Sequence, residues 1–290
     1  MTKEELRSKI RGSLYGFAIG DAMGATTEFM SDKDIQKKYG RIAQIVGGGW
    51  LNLEPGEVTD DTQMTLCVAR AYTKAYKEES PFFRSFLYNC AVEFVAWIAS
   101  GPKDVGNSCS IAIRSNSKEN DPYKWMDNNF LRQLRSGRED LGNGALMRCL
   151  FPILCGDIGA ALLQAKLTHN NNLNDGCILE YGLILQSILR GEIDLEEVGE
   201  LAQKQLPSGH ISNTLDNAIY WTTTTCTFED SILGPVNDGG DADTIAAITG
   251  GLTGALYGFE AIPATWITQL NPRVRKALDD LTEEALNIIG

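Results

Sequence analysis

The chain has 290 residues, 38 of them acidic and 26 basic, for a formal net charge of -12. That balance argues against a protein built to grip nucleic acid or an anionic membrane, both of which need clustered Lys and Arg. It still permits an anionic small ligand, provided its phosphates meet backbone N–H groups and not side-chain cations. Seven cysteines stand singly at 67, 90, 109, 149, 155, 177 and 226, with no CxxC pair. This is not the spacing of a disulfide framework and fits small buried side chains in a reducing compartment. The first residues, "MTKEELRSKIRGSLYGFAIG", mix both charge signs and lack a long apolar run, and no stretch approaches the ~18 apolar residues of a membrane span. The expectation is a soluble, cytoplasmic protein with no direct nucleic-acid or membrane partner.

In chain order, glycines come first. Gly12, Gly16, Gly20 and Gly24 recur every fourth residue, as do Gly250, Gly254 and Gly258 near the other end. On a helix this spacing aligns them along one face, although each costs up to ~1 kcal/mol of helix stability relative to alanine. A ridge without side chains is useful where another backbone or a ligand comes close, so the two ridged helices are expected to pack together or beneath a site. From Met64, apolar residues fall at Val68, Ala71 and Ala75, widened by Leu66 and Cys67. Residues 82–99, 159–168, 177–190, 195–205, 212–222 and 273–288 keep the same three-to-four spacing, which predicts helices. The run "YWTTTTCTF" at 220–228 is the main strand candidate, or else a helix end. The acidic stretch "EIDLEEVGE" reads as a solvated helix face. With no low-complexity linker and no shift of composition, the fold class expected is all-α, one domain over residues 1–290.

Two stretches crowd aspartates beside a threonine: "VTDDTQM" at 58–64 and "VNDGGDADT" at 236–244. Thr59, Asp60 and Asp61 follow the Pro55–Gly56 turn and open a helical run, so capping of the orphan N–H groups is one reading. Asp241, Asp243 and Thr244 again open a helix after Gly239 and Gly240, whose backbone freedom lets alternate carboxylates point one way. Two such clusters could converge on cations, which would cancel their mutual repulsion. The donors are oxygens only, which selects hard ions such as Mg²⁺ or Mn²⁺. With only His169 and His210 in the chain, a histidine-rich metal site is excluded.

Five motifs in order, "GFAIGDAMGATTEF" (16–29), "PGEVTDDTQM" (55–64), "GNGALMR" (142–148), "TH" (168–169) and "GGDADT" (239–244), resemble the ADP-ribosylglycohydrolase family. The resemblance implies a single compact orthogonal all-α domain holding two divalent cations, Mg²⁺ or Mn²⁺, between helices. It implies ligands from Thr59, Asp60 and Asp61 on one side and Asp241, Asp243 and Thr244 on the other. It also gives Glu28 a place near the metals, gating the site or handling a proton, with Asp60, Asp61 and Asp243 in the catalytic set. In "SGPKDVGNSCS", Asp104 matches an acid that faces the substrate guanidinium in arginine-specific members, and Gly101, Gly106, Asn107 and Ser108 match a diphosphate-wrapping loop. Asn143, Gly144 and Met147 match the lining of the ADP-ribose cleft, and His169 a histidine beside it. The activity implied is removal of ADP-ribose from a modified protein side chain, most of all the N-glycosidic bond to arginine. One departure is "THNNNLND", asparagine-rich where the family commonly carries a proline, which puts the adenosine-side contacts in question. Asp238 is an extra acid, read as a solvated charge.

Other readings compete. A terpene-synthase-like metal motif needs a third acid where "DDTQM" has Met64. A non-catalytic ADP-ribose-binding descendant would lose metal ligands, whereas all six matched positions carry oxygen donors. A hydrolase of O-linked or free small-molecule ADP-ribose derivatives stays open. Trp50, after "GGG", reads as a cover over a ligand or a packing anchor, and Arg148 as a structural ion pair or a phosphate contact.

Overall fold

The computed structural model describes residues 1–137 and 139–290, with Leu201 represented by its backbone. In chain order the helices are α1 (Lys3–Gly24), α2 (Asp32–Tyr39), α3 (Asp60–Lys77), α4 (Phe82–Ala99) and α5 (Asn107–Asn116). There follow α6 (Pro122–Ser136), α7 (Leu150–Leu154), α8 (Ile158–Ala165), α9 (Asn172–Arg190) and α10 (Leu195–Leu201). The last are α11 (Ile211–Thr224), α12 (Phe228–Asp238), α13 (Ala242–Tyr257), α14 (Ala264–Gln269) and α15 (Pro272–Ile289). Among the described residues there are isolated β-bridges but no sheet, so the all-α expectation holds. The strand candidate at 220–228 is the end of α11, the connecting residues 225–227 and the start of α12. No helix among the described residues is long and apolar enough to cross a membrane.

At the centre, α1 and α13 run antiparallel with no side chain between their glycines. A Cβ at Gly12 would come within 3.0 Å of the Gly254 carbonyl oxygen. The same holds for Gly16 against Gly250, Gly20 against Ala246 and Gly24 against Ala242. Both helices are small or apolar almost all round, which suits burial on every side; α1 is buried from Gly12 to Gly24 and α13 from Ala242 to Ala255. The remaining helices wrap this pair and share one contiguous apolar core with it. Because the pair is antiparallel, the N-terminus of α13 lies beside the C-terminal end of α1.

That end also receives α3. Asp21, fully buried on α1, accepts the N–H groups of Thr59 at 3.0 and 3.2 Å and of Thr62 at 3.0 Å. It thereby satisfies the orphan donors of a helix forty residues away. The segment after α1 is clamped to the turn before α13. Phe29 N–H donates to the Gly240 carbonyl at 2.7 Å, and Gly240 N–H to that of Met30 at 2.9 Å. Gly239 and Gly240 both sit at positive φ, 78° and 64°, and a Cβ on either would overlap a neighbouring carbonyl oxygen, so the pair is required on two counts. The cysteines are free; Cys226 is exposed and Cys155 partly so, while the other five are buried.

Gly16→Ala is expected to lower stability by about 3 kcal/mol or to prevent folding, since the added methyl meets backbone and no rotamer relieves it. Gly176→Ala, exposed on α9 with open space around it, is expected to raise stability by about 0.5–1 kcal/mol. Urea unfolding of the two variants checks both; equal effects would mean that the α1–α13 contact is looser than described.

Candidate functional site

The segment after α1 and the starts of α3 and α13 line a cleft of 520 Å³. Six acids face it: Glu28, Asp60, Asp61, Asp104, Asp241 and Asp243, and among the described residues no Lys or Arg does. The two aspartate clusters meet directly, because Thr244 Oγ1 donates to Asp61 Oδ2 at 3.4 Å.

Capping accounts for Thr59 but not for the acids. Thr59 Oγ1 accepts Asp61 N–H at 3.3 Å, and Asp21 takes the other donors, so the carboxylates of Asp60 and Asp61 are free to serve the cleft. Asp60 Oδ2 accepts Gly106 N–H at 3.2 Å. Asp61 Oδ2 accepts the Thr59 hydroxyl at 3.0 Å, while its Oδ1 is buried without a partner. Asp241 is the N-cap residue of α13 yet makes no capping bond; it accepts Asn143 Nδ2 at 2.6 Å. Asp243 Oδ1 is likewise buried and unpartnered. Glu28 accepts Trp50 Nε1–H at 2.6 Å. The ring of Trp50 packs beside exposed Phe29 at 5.4 Å, at the rim and not in the core. Glu28, Asp104 and Asp243 each offer an oxygen within 4.8 Å of the others, a donor set able to hold a metal ion. This trio draws in Glu28 and Asp104 beyond the six ligands read from the sequence.

Burial and mutual repulsion push these carboxyls up, as expected for like charges sharing a low-dielectric site. Burial first, then Asp104, Asp241 and Asp60, raises Glu28 to about 8 against the lowering effect of Trp50. Asp60 also rises to about 8, through burial and then Asp104. Asp21 and Asp241 rise to about 6, chiefly by burial and despite the hydrogen bonds they accept. Asp61 and Asp243 are pushed well above the ordinary range by burial and by neighbouring acids. Asp104 is raised by burial.

The substrate-side residues divide. Asn143, Gly144, Met147 and His169 line the cleft, as do Gly106, Asn107 and Ser108. The latter two are not loop residues, however, but the first turn of α5, whose N-terminus carries no side-chain cap. Ser108 gives its hydroxyl to Asp140 at 2.9 Å. Gly101, exposed at φ 72°, lies outside the lining, and so does buried Thr59. Asp238 pairs with Lys204 at 2.7 Å on the surface. Asp21 escaped the sequence reading because an aspartate inside an apolar helix caps a partner only once the chain is folded. Its signal was the lone acid between the glycines of that helix.

Because all these folded carboxyls titrate above their unfolded values, the native state binds more protons than the unfolded chain across the interval. Their contribution to stability is therefore full below the ordinary carboxylate range and is lost as pH rises through about 6 and about 8. Chelator-treated protein is expected to show a thermal midpoint that falls on going from pH 6 to pH 8. A midpoint that rises over that interval would contradict the crowding of acids described above.

The chain matches the family model for ADP-ribosylglycohydrolase over residues 2–289. It is 32% identical to an ADP-ribosyl-[dinitrogen reductase] glycohydrolase of Rhodospirillum rubrum, covering 100% of this chain and 99% of that one. It is 30% identical to the ADP-ribosylarginine hydrolase Tri1 of Serratia proteamaculans, covering 97% and 80%. The fold superposes on a solved ADP-ribosylglycohydrolase-related protein complex with a TM-score of 0.77 at 26% identity, covering 99% of this chain. An all-helical scaffold that brings two distant aspartate pairs into one oxygen-lined cleft agrees with these matches along its whole length, and the protein belongs to the ADP-ribosylglycohydrolase family.

Proposed function

We propose that the protein hydrolyses the glycosidic bond between ADP-ribose and a modified protein side chain, with arginine as the linkage and two divalent cations, Mg²⁺ or Mn²⁺, as cofactors. The observation that carries this reading is the meeting of the two acidic helix starts, with Asp61 Oδ1 and Asp243 Oδ1 buried and unpartnered. Buried carboxylate oxygens without donors fit hard cations. Thr59, Asp60, Asp61, Asp241, Asp243 and Thr244 would hold them, with Glu28 and Asp104 adjoining. Such ions supply Lewis acidity toward sugar hydroxyls and an attacking water near neutral pH.

The chain's own residues do the rest. Cleavage at ribose C1″ passes through an oxocarbenium-like state, in which positive charge moves onto the sugar ring and is favoured by the acids of the cleft. Water adds across the bond, its hydroxyl to C1″ and a proton to the departing nitrogen. Glu28, whose carboxyl burial raises to about 8 in the ion-free cleft, lines the cleft, where it can exchange a proton with the leaving group. Asp104 faces the cleft where a guanidinium would be paired. The diphosphate is repelled from the acids and goes to the uncapped N-terminus of α5, where Asn107 and Ser108 begin the helix. Two relatives support the substrate class: their names specify dinitrogen reductase and arginine.

Mass spectrometry of ADP-ribose released from arginine-modified and serine-modified proteins, with and without added divalent metal, tests the reading. Metal-dependent release from the arginine-linked substrate is expected; no release from either would leave only a binding protein on this fold. Asp60→Asn is expected to lower turnover at least about 100-fold while keeping the metal-free fold as stable as before, since an amide mimics the protonated acid. Full turnover at saturating metal would remove Asp60 from the mechanism. Asp104→Ala is expected to reduce hydrolysis of the arginine linkage more than that of the serine linkage. Equal losses on the two substrates would show that Asp104 does not set the preference.

A further inference from the structure

Behind the cleft wall lies a cation that the acid cluster does not use. Arg148 is fully buried, and its five N–H groups all have partners. Nε donates to Gln164 Oε1 at 2.6 Å. One terminal nitrogen donates to the Gly144 carbonyl at 2.7 Å and lies 3.3 Å from Cys109 Sγ. The other donates to Thr168 Oγ1 at 2.6 Å and to the Gln164 carbonyl at 3.4 Å. The guanidinium also lies 4.7 Å from the Phe94 ring centroid. None of these partners is a carboxylate, so Arg148 is neither the ion pair nor the phosphate contact that its sequence context suggested. A buried cation kept without a counter-ion is costly, and its geometry has a consequence for the next residue pair.

A guanidinium can only donate. Thr168 Oγ1 therefore accepts from Arg148, and the hydroxyl has one hydrogen left to give. His169 Nδ1 lies 2.7 Å from that oxygen. If Nδ1 carried a proton, the threonine hydrogen would be left to the Cys109 thiol, a poor acceptor. With Nδ1 as acceptor, all three groups are satisfied, and the ring proton stands on Nε2. That nitrogen has no hydrogen bond to the described residues, although His169 is 1% exposed. The ring lines the cleft, and the approach to it is cleared by glycine: a Cβ on Gly142 or Gly144 would lie 3.5 Å from Nε2. Burial, then Arg148 and Arg132, pushes the imidazole down to about 3, so it stays uncharged in use.

We propose that Arg148 and Thr168 are positioning residues that lock His169 in its Nε2–H tautomer, so that the cleft wall presents one fixed N–H donor to a phosphate or sugar oxygen of the ligand. A neutral donor suits a cleft crowded with carboxylates, because a cationic side chain there would turn to the acids. The ligand's identity rests on the glycohydrolase reading, whereas the lock rests on the hydrogen bonds alone.

The chain has two histidines, His169 and His210, so ring-¹⁵N labelling of the full chain gives two imidazole patterns in long-range ¹H–¹⁵N correlation spectra, and His210→Gln assigns them. His169 is expected to show a protonated Nε2 and a bare Nδ1 over about pH 6–8, the range in which free imidazole titrates. An imidazolium, or a proton on Nδ1, in the wild-type chain overturns the lock without need of any variant. Thr168→Val is expected to release the tautomer and weaken ADP-ribose binding about tenfold, and Thr168→Ser to restore both. A Thr168→Val chain that keeps the Nε2–H pattern overturns the role of Thr168; an altered tautomer with unchanged ADP-ribose affinity overturns the donor role. Wild-type protein that shows the lock yet fails to bind ADP-ribose refutes the function proposed above and not the lock.

Discussion

Everything in the molecule depends on the contact between α1 and α13, two helices that touch through backbone. Glycine at four-residue intervals gives up helix propensity for approach distance, and the approach is what brings the ends of the helices to one place. The C-terminal end of α1 leads into Glu28, the N-terminal end of α13 carries Asp241, Asp243 and Thr244, and Asp21 holds the start of α3 against both. A functional cleft is thus assembled from residues more than two hundred positions apart by a contact that has no side chains in it.

The second constraint is electrostatic. Six acids in a half-enclosed cleft oppose folding in the absence of counter-charge, and the structure meets that cost partly with oriented dipoles. The N-termini of α3 and α13 both point toward the carboxylates, and N–H donors from Gly106 and Asn143 fix individual oxygens. Two oxygens are left over, on Asp61 and Asp243, so the neutralisation is incomplete in the protein alone. A site of this kind is stable only in partnership, with protons when it is empty, and its two spare oxygens are where a cation could be held.

Much of this was legible in the sequence. The glycine spacing pointed to close helix packing, and the acid–threonine pairs announced two helix starts with oxygen donors. The plain apolar stripe of α4 is found at its predicted bounds, Phe82–Ala99, and the other striped segments fall on helices whose ends differ from the prediction, as where 195–205 ends at Leu201 in α10. What escaped depends on partners distant in the chain. The helix α6 buries Asn129 and Gln133, so its inner face looks like surface until the groups that satisfy it are known. The helix α12 contains Pro235, which reads as a breaker. Asn107 and Ser108 look like loop residues because glycine precedes them, and the helix they open has no capping side chain. Trp50 and Arg148 each admitted two readings, since the sequence does not reveal what a long side chain will reach.

The repeating interval on both central helices has a further implication. Sliding α1 along α13 by one interval would again set glycine near a small residue, and would displace Glu28 from Asp243 by about 6 Å at 1.5 Å per residue. The glycines alone therefore leave the register degenerate. Non-repeating polar bonds remove the degeneracy: Ser13 Oγ to the Gly251 carbonyl at 2.7 Å and Thr27 Oγ1 to the Val236 carbonyl at 2.6 Å. Two hydroxyls, neither of them in the cleft, act as the index pins that keep this slide rule set to the one alignment in which the acids meet.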